Sequence, residues 1–307
     1  MWWVGTKMGR TAKARPGKAV VPQPPIGIEL KCPVEHKLRD YVAENLKTRP
    51  LMVVAPDAFK GKTLALCGAG PSLRTQEIKD VDYIFACNSA LPYLVSRGVN
   101  VTAGVGIDQT PGLLREWRYP PDVPYYVATS CDPALIRHLR ANGRHCIFFH
   151  NFVGLKNDEG DCDEFEHYCS TWPTMFMVGK GFSVVSRFIG VAEWMGFTRI
   201  DIYGADHAFG PDDIAHANGE TAKDAYGQPI IMEGEIGGRV WRTRPDMLLG
   251  AVDLARRARE SNGTIRLIGD TLPALLLDKD DKYLDQVARA LGPDELEAGR
   301  INLNYGA

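Results

Sequence analysis

Leu64-Ala65-Leu66-Cys67-Gly68-Ala69-Gly70-Pro71-Ser72-Leu73 is the stretch whose reading decides the fold. An apolar run this short, bounded by glycines, predicts a buried strand, and the turn after it can bring backbone N–H groups against an anion. Gly68 and Gly70 permit positive φ or a close backbone approach. Pro71 suits the first turn of a following helix, and the Ser72 hydroxyl can bond a phosphate or cap that helix. Residues Gly68, Ala69, Gly70, Pro71 and Ser72 are therefore the expected nucleotide contacts, although an ordinary strand-to-helix turn has the same composition. A valine at Gly70 is expected to block the ligand's approach and leave the fold intact.

Two other glycine motifs are excluded. A dinucleotide fingerprint needs a third glycine where Leu73 stands and an acid at the end of the second strand, where Asn88 stands. Gly61-Lys62-Thr63 imitates the end of a Walker A loop, but Pro56 occupies the leading glycine position and the triplet precedes its strand instead of following it.

Outward from the turn, strand-like and helix-like segments alternate. The strands are predicted at 63–67, 83–87, 101–107, 125–128, 146–150, 199–203 and 264–268. Helices are predicted at 34–46, 90–97, 133–142, 183–195 and 247–261. Several strands are almost continuously apolar, as expected when helices cover both faces of a parallel sheet. The predicted fold class is α/β, a doubly wound, mostly parallel sheet with helices on both faces. Ser183 is the expected N-cap of a buried helix that ends at Gly196.

In such a sheet ligands bind beyond the carboxyl ends of the strands. The residues there are Gly68 to Ser72, Asn88, Asp108, His150 with Asn151, and Gly204-Ala205-Asp206-His207, the last leading on to His216. His207 and His216 flank a Gly-Pro loop long enough to fold over the site. They are the candidate acid–base residues with Asp206, or else loop histidines with hydrogen-bonding duties alone.

The chain has 307 residues, an apolar share of 45% and a net charge of −2, so it can bury a large core and has no overall basic bias toward nucleic acid. Residues 1–18 run against that average, with Lys7, Arg10, Lys13, Arg15 and Lys18 and no acid. They read as a disordered basic arm, the one segment with a case for nucleic acid, followed by a proline-rich linker. No apolar stretch reaches the roughly 18 residues of a membrane span, and Met1-Trp2-Trp3-Val4 is too short for a signal-peptide core, so a cytoplasmic protein is expected. The seven cysteines are scattered without a Cys-x-x-Cys pair. Cys162, His167 and Cys169 lie among acids and match no common zinc spacing, which favours an acidic surface loop over a metal site. The expected divisions are a basic arm at 1–30, a helix and lead-in at 31–60, a nucleotide-binding domain at 61–278, and a C-terminal helix and tail at 279–307.

Three blocks in the first half carry a resemblance: Gly68-Ala69-Gly70-Pro71-Ser72-Leu73, Asp82-Tyr83-Ile84-Phe85-Ala86-Cys87-Asn88 and Gly104-Val105-Gly106-Ile107-Asp108. Four follow in the second half: Gly181-Phe182-Ser183-Val184, Ala192-Glu193-Trp194-Met195-Gly196-Phe197, Ile202-Tyr203-Gly204-Ala205-Asp206 and His216-Ala217-Asn218-Gly219. In this order the set resembles the motility accessory factor and 6-hydroxymethylpterin diphosphokinase MptE-like superfamily, over roughly residues 61 to 275. Bacterial sialyltransferases that use CMP-sialic acid share much of the arrangement.

The resemblance implies a Rossmann-like nucleotide site with Gly68, Gly70, Ser72, Asn88, Ser183 and Asp206 on the nucleotide side. There are two departures. The sialyltransferases' catalytic histidine has no counterpart in 234–244. The pterin enzymes' Asp-x-Asp-Gly, suited to Mg²⁺, is replaced by Asp108-Gln109-Thr110.

The function these readings imply is a nucleotide-dependent transferase, moving a sugar from a CMP-type donor to an unidentified acceptor. His216, Asp206 and His207 are the catalytic candidates, and Gly68 to Ser72, Asn88, Asp108, Ser183 and Gly204 the nucleotide contacts. Arg239, Arg242 and Arg244 either close over the donor from a mobile segment or lie solvated at the surface. The alternatives are an ATP-dependent pyrophosphokinase, with Asp108 and Asp206 on Mg²⁺, and a nucleotide-binding accessory protein without catalysis. No cofactor is assigned firmly, and self-association is left open.

Overall fold

The computed structural model describes residues 37–152, 164–165, 167, 176–179, 181–227, 231–236 and 238–289. The basic arm, Val34, Cys162, Cys169, Lys180 and the tail from 290 onward lie outside the described residues.

Eleven strands occur among the described residues: β1 (Met52–Val53), β2 (Thr63–Cys67), β3 (Tyr83–Cys87), β4 (Ala103–Gly106), β5 (Tyr125–Ala128), β6 (Cys146–Asn151), β7 (Met177–Val178), β8 (Arg199–Tyr203), β9 (Met232–Ile236), β10 (Arg239–Thr243) and β11 (Ile265–Leu267). Nine of them form one sheet in the order β1-β6-β5-β4-β3-β2-β8-β11, with β7 beside the second half of β6. Every pairing in it is parallel. β9 and β10 make a separate antiparallel hairpin.

The apolar run that opened the sequence reading lies inside this sheet as β2, paired to β3 on one side and β8 on the other. Leu64, Ala65, Leu66 and Cys67 are all fully buried. Successive strand residues point to opposite faces, so both faces of β2 are covered, which explains a continuous apolar run where a half-exposed strand would alternate.

The helices are α1 (Leu38–Asn45), α2 (Ala90–Ser96), α3 (Gly112–Glu116), α4 (Pro133–Ala141), α5 (Val184–Trp194), α6 (Ala222–Tyr226), α7 (Pro245–Glu260), α8 (Leu272–Leu276) and α9 (Asp281–Arg289). Local chemistry sets several starts. Asp132 caps α4 by accepting the Ala134 N–H at 2.8 Å, ahead of Pro133 in the first turn. Ser183 and Ser186 form a reciprocal capping box on α5. Phe188 and Ile189 of α5 are fully buried in the sheet core with Phe85 and Phe149. A second apolar cluster, including Trp241, Leu248, Val252, Leu272 and Leu276, joins the hairpin to α7 and α8.

Several elements escape the sequence pattern. β1 and β7 are two residues long and have no period to read. The hairpin alternates only on β10, where Trp241 and Thr243 turn inward while Val240 and Arg242 stay exposed. Residues 239–244, expected as a mobile segment, are instead strand β10 and the N-cap of α7.

The topology places the site. From β2 the chain runs outward through β3, β4, β5 and β6, then returns to lay β8 against the other side of β2. Connections diverge between β2 and β8, and a crevice opens beyond the carboxyl ends of two such strands.

Candidate functional site

The turn after β2 and the exit of β8 meet in that crevice. Gly68 donates its N–H to Tyr203 O, and Gly70 donates to Gly204 O, each at 2.8 Å. A Cβ on Gly68 would lie 2.6 Å from Gly204 O. One on Gly70 would lie 2.7 Å from the same oxygen and overlap Asp206 Oδ2. The glycines are thus required by the close approach of two backbone segments, and Gly70 itself has φ −65°. Positive φ falls on the facing residue, Gly204, at 57°. This corrects the expectation that a valine at Gly70 leaves the fold intact: the obstruction is the protein's own backbone and carboxylate.

Pro71 opens a single 3₁₀ turn, Pro71–Arg74, in keeping with its expected place in a first helical turn, and Ser72 lies inside that turn instead of capping it. Its N–H points at both Asp206 oxygens at 3.2 Å, and its hydroxyl donates to Asp206 Oδ2 at 2.9 Å. The position expected to hold an external anion therefore carries the Asp206 carboxylate. Gln76 locks the arrangement. Its Nε2 donates to Ser72 Oγ at 3.0 Å and to Ile268 O at 2.8 Å, while its Oε1 accepts the Gly204 N–H at 2.9 Å. Burial pushes the Asp206 carboxyl up to about 6, against the opposing pull of the Ser72 hydrogen bonds and the Arg239 charge.

The loop that follows β8 folds back over the turn. Ala217 donates its N–H to Ala69 O at 2.7 Å, and Arg74 Nε donates to Ala217 O at 2.7 Å. This docking carries the neighbouring His216 to the rim of the crevice. Its Nδ1 lies 2.7 Å from Glu220 Oε2, and its Nε2 is 3.5 Å from the Tyr226 hydroxyl. A carboxylate at Nδ1 fixes the proton on that nitrogen and leaves Nε2 as the acceptor.

His207, expected as a catalytic partner, is placed differently. Its Nδ1 donates to Met247 O of α7 at 3.1 Å, and its ring fills the space a side chain on Gly250 would need. Burial lowers its pKa to about 4. A neutral ring packed under a helix gives His207 a structural placement where the sequence led us to expect an acid–base residue.

Asn88 ends β3 in the left-handed region, φ 45°, and its Oδ1 is buried without a hydrogen-bond partner. Asp108, past the end of β4, accepts the Thr110 N–H at 2.8 Å in a local turn. Asp108 and Asp206 thus both face protein donors. Among the described residues no three His, Cys, Asp or Glu side chains are grouped to hold a metal ion. Ser183 is committed to its capping box, with its Oγ accepting the Ser186 N–H at 3.1 Å.

Sequence reasoning missed Gln76, Glu116 and Glu220. The Glu116 carboxyl, at the end of α3, is pushed up to about 7 by desolvation, then by the like charges of Asp108 and Glu220, against Arg115. The i, i+4 spacing of His216 and Glu220 was the only available signal for the last. The three arginines are committed as well: Arg239 pairs with Asp270, Arg242 with Asp213 at 2.9 Å, and buried Arg244 forks onto Asp246 at 3.0 and 3.1 Å. Arg239 and Arg242 are exposed, ion-paired side chains of the hairpin, as the surface alternative expected, and buried Arg244 belongs to the α7 cap.

Residues 38–212, more than half of the chain, match the family model described as 6-hydroxymethylpterin diphosphokinase MptE-like. Among solved structures the chain is similar to the MAf glycosyltransferase from Magnetospirillum magneticum AMB-1, with a TM-score of 0.54 and 14% identity. That match covers 89% of this chain and 45% of the other, so the chain spans less than half of that protein's length. At this identity the likeness shows a shared fold. No curated protein matches the chain. Among the described residues no helix is long and apolar enough to cross a membrane.

Proposed function

The chain belongs to the 6-hydroxymethylpterin diphosphokinase MptE-like family, and from that premise we propose that it is a nucleotide-dependent transferase that moves a sugar from a CMP-type donor to an acceptor hydroxyl. The observation that carries the reading is the convergence at the β2/β8 switch point, where a His–Glu pair is docked on the glycine turn through Ala217 and Arg74. The solved structure that shares the fold is named a glycosyltransferase, which supports the choice of sugar transfer within the transferases.

The chemistry asked of the site is modest. The acceptor oxygen bonds to the anomeric carbon, the bond from that carbon to the donor phosphate breaks, and the departing nucleotide keeps the electron pair. The acceptor proton goes to His216 Nε2, while Glu220 stabilises the imidazolium that results. Asn88 holds the nucleotide from the end of β3, its unpartnered Oδ1 supporting that role. No step is routed through a metal.

Removal of the imidazole tests the reading. His216→Ala is expected to lower turnover by about a hundredfold or more with nucleotide affinity retained, and His216→Gln is expected not to restore it. Near-normal turnover in either variant removes His216 from the mechanism. The family's description favours one other reading, a pyrophosphokinase. Thermal shifts with CMP, CDP, UDP, GDP, ADP and ATP, with and without Mg²⁺, separate the two, because stabilisation by ATP only with Mg²⁺ supports the kinase. Nucleotide binding without turnover on any acceptor marks an accessory protein.

A further inference from the structure

The turn after β2 has the sequence of an anion cradle, and the structure spends its donors internally. Between Gly68 and Ser72 the backbone carries four N–H groups, since Pro71 has none. Three are engaged, by Tyr203 O, Gly204 O and the Asp206 carboxylate. The Ser72 hydroxyl is also used, donating to Asp206 and accepting from Gln76. A phosphate brought to this turn meets a carboxylate where the donors should be.

Asp206 presents the opposite chemistry. A carboxylate has about four lone-pair sites; Ser72 supplies its N–H and hydroxyl and Asp206 its own N–H, leaving acceptor capacity on a side chain only partly screened from solvent. Its rotamer is held by Ser72, which is held in turn by Gln76, so the acceptor is pre-organised. We infer that the Gly68–Ser72 turn, through Asp206, binds a vicinal diol, either the ribose of the nucleotide or the sugar of the donor, and not the donor's phosphates. The inference rests on the nucleotide reading above and specifies which end of the donor lies at the turn. Arg239 of the hairpin, itself paired with Asp270, is the cation whose charge reaches Asp206, and Ser72, which bonds the carboxylate, is neutral, as is Gln76 behind it. Desolvation raises the Asp206 carboxyl toward neutrality, so keeping an acid here works against the ligand-free fold, as is common for groups retained for binding.

The probes are CMP, UMP, GMP, AMP, their 2′,3′-dideoxy forms, CMP-sialic acid and inorganic pyrophosphate, titrated calorimetrically into the full chain at pH 7.5. For a ribonucleotide that binds, the dideoxy form is expected to bind about ten- to a hundredfold more weakly, the effect of losing hydrogen bonds to a charged acceptor. Asp206→Asn is expected to bring the ribonucleotide down to the dideoxy affinity. Weakening by Asp206→Asn of CMP-sialic acid alone, with CMP untouched, assigns the diol to the sugar and supports the inference equally. Tighter binding of CMP or pyrophosphate by Asp206→Asn overturns it, because removal of a negative charge then helps a phosphate at the turn. So does equal affinity of ribo and dideoxy forms in the unaltered protein together with unchanged CMP-sialic acid binding by the variant. The ribo-to-dideoxy comparison needs no variant and stands if Asp206→Asn fails to fold. A wild-type protein that binds none of the nucleotides refutes the nucleotide reading itself, a result distinct from those that overturn the diol alone.

Discussion

Replacing Asp206 with asparagine should stabilise the ligand-free protein, and only above a defined pH. In the fold the carboxyl is pushed up to about 6, whereas an unfolded aspartate titrates near 3.9. Between those two values the native state binds more protons than the unfolded chain, so stability contributed by this group falls as pH rises through the window. Below about pH 4 both states are protonated and the group contributes no difference. Above about pH 6 the full penalty for holding a partly desolvated charge applies, with a ceiling of about 3 kcal/mol for a rise of this size. An asparagine keeps an acceptor for the Ser72 N–H but gives up the charge-assisted part of the two Ser72 bonds, which reduces the expected gain to about 1–2 kcal/mol.

The assay is urea unfolding of both proteins without ligand, followed by circular dichroism at pH 4.5 and 7.5. The variant should unfold at higher urea at pH 7.5, with an unchanged slope, and its gain should fall to about 1 kcal/mol or less at pH 4.5, near the lower edge of the window. A variant that is less stable by more than about 1 kcal/mol at both pH values refutes the reasoning, because the Ser72 hydrogen bonds then outweigh burial of the charge.

Two further substitutions test how the crevice is built. Gly70→Ala should cost about 2–3 kcal/mol in thermal or urea unfolding, because its Cβ meets Gly204 O and the Asp206 carboxylate. Gly234→Ala on the open hairpin strand, with nothing within 4 Å, should stay within about 0.5 kcal/mol, and equal costs at the two sites would refute the close-approach argument. Gln76→Ala should cost about 1–3 kcal/mol by stripping partners from Gly204 N–H, Ile268 O and Ser72 Oγ together. Gln76→Glu should fail to restore it, since the acid lacks the two N–H donors; full stability in either variant would show that water replaces the clip.

Much of the scaffold is written locally. β2, β3, β5 and β8 were read from the chain with the boundaries the structure gives them; in β2, β3 and β5 burial on both faces leaves a nearly unbroken apolar run that glycine or polar residues close, whereas β8 carries Asp201, fully buried and paired with Arg266. The starts of α4 and α5 were equally legible, since Asp132-Pro133 and Ser183 act on N–H groups two or three residues away. The glycines of the first turn were also flagged from sequence as positions of close backbone approach. What they approach was not, because Gly70 meets a carboxylate and a carbonyl more than 130 residues further on.

The order of the strands decided the rest. Laying β8 beside β2 sets Asp206 on Ser72, turns an expected phosphate cradle into a turn whose donors are largely spent, and gives Gln76 two partners from distant segments, Gly204 and Ile268, besides nearby Ser72. The same packing separates two histidines that look alike in sequence. His207 goes under α7 against Gly250 and loses its charge, while His216 is delivered to the rim by Ala217 and Arg74 and held by Glu220. By itself the sequence determined which segments are buried and where the backbone must come close, because burial and turn chemistry are properties of neighbouring residues. Only the tertiary structure decided which polar groups meet, since a hydrogen-bond partner is chosen by the strand ends and loops that packing brings within about 3 Å.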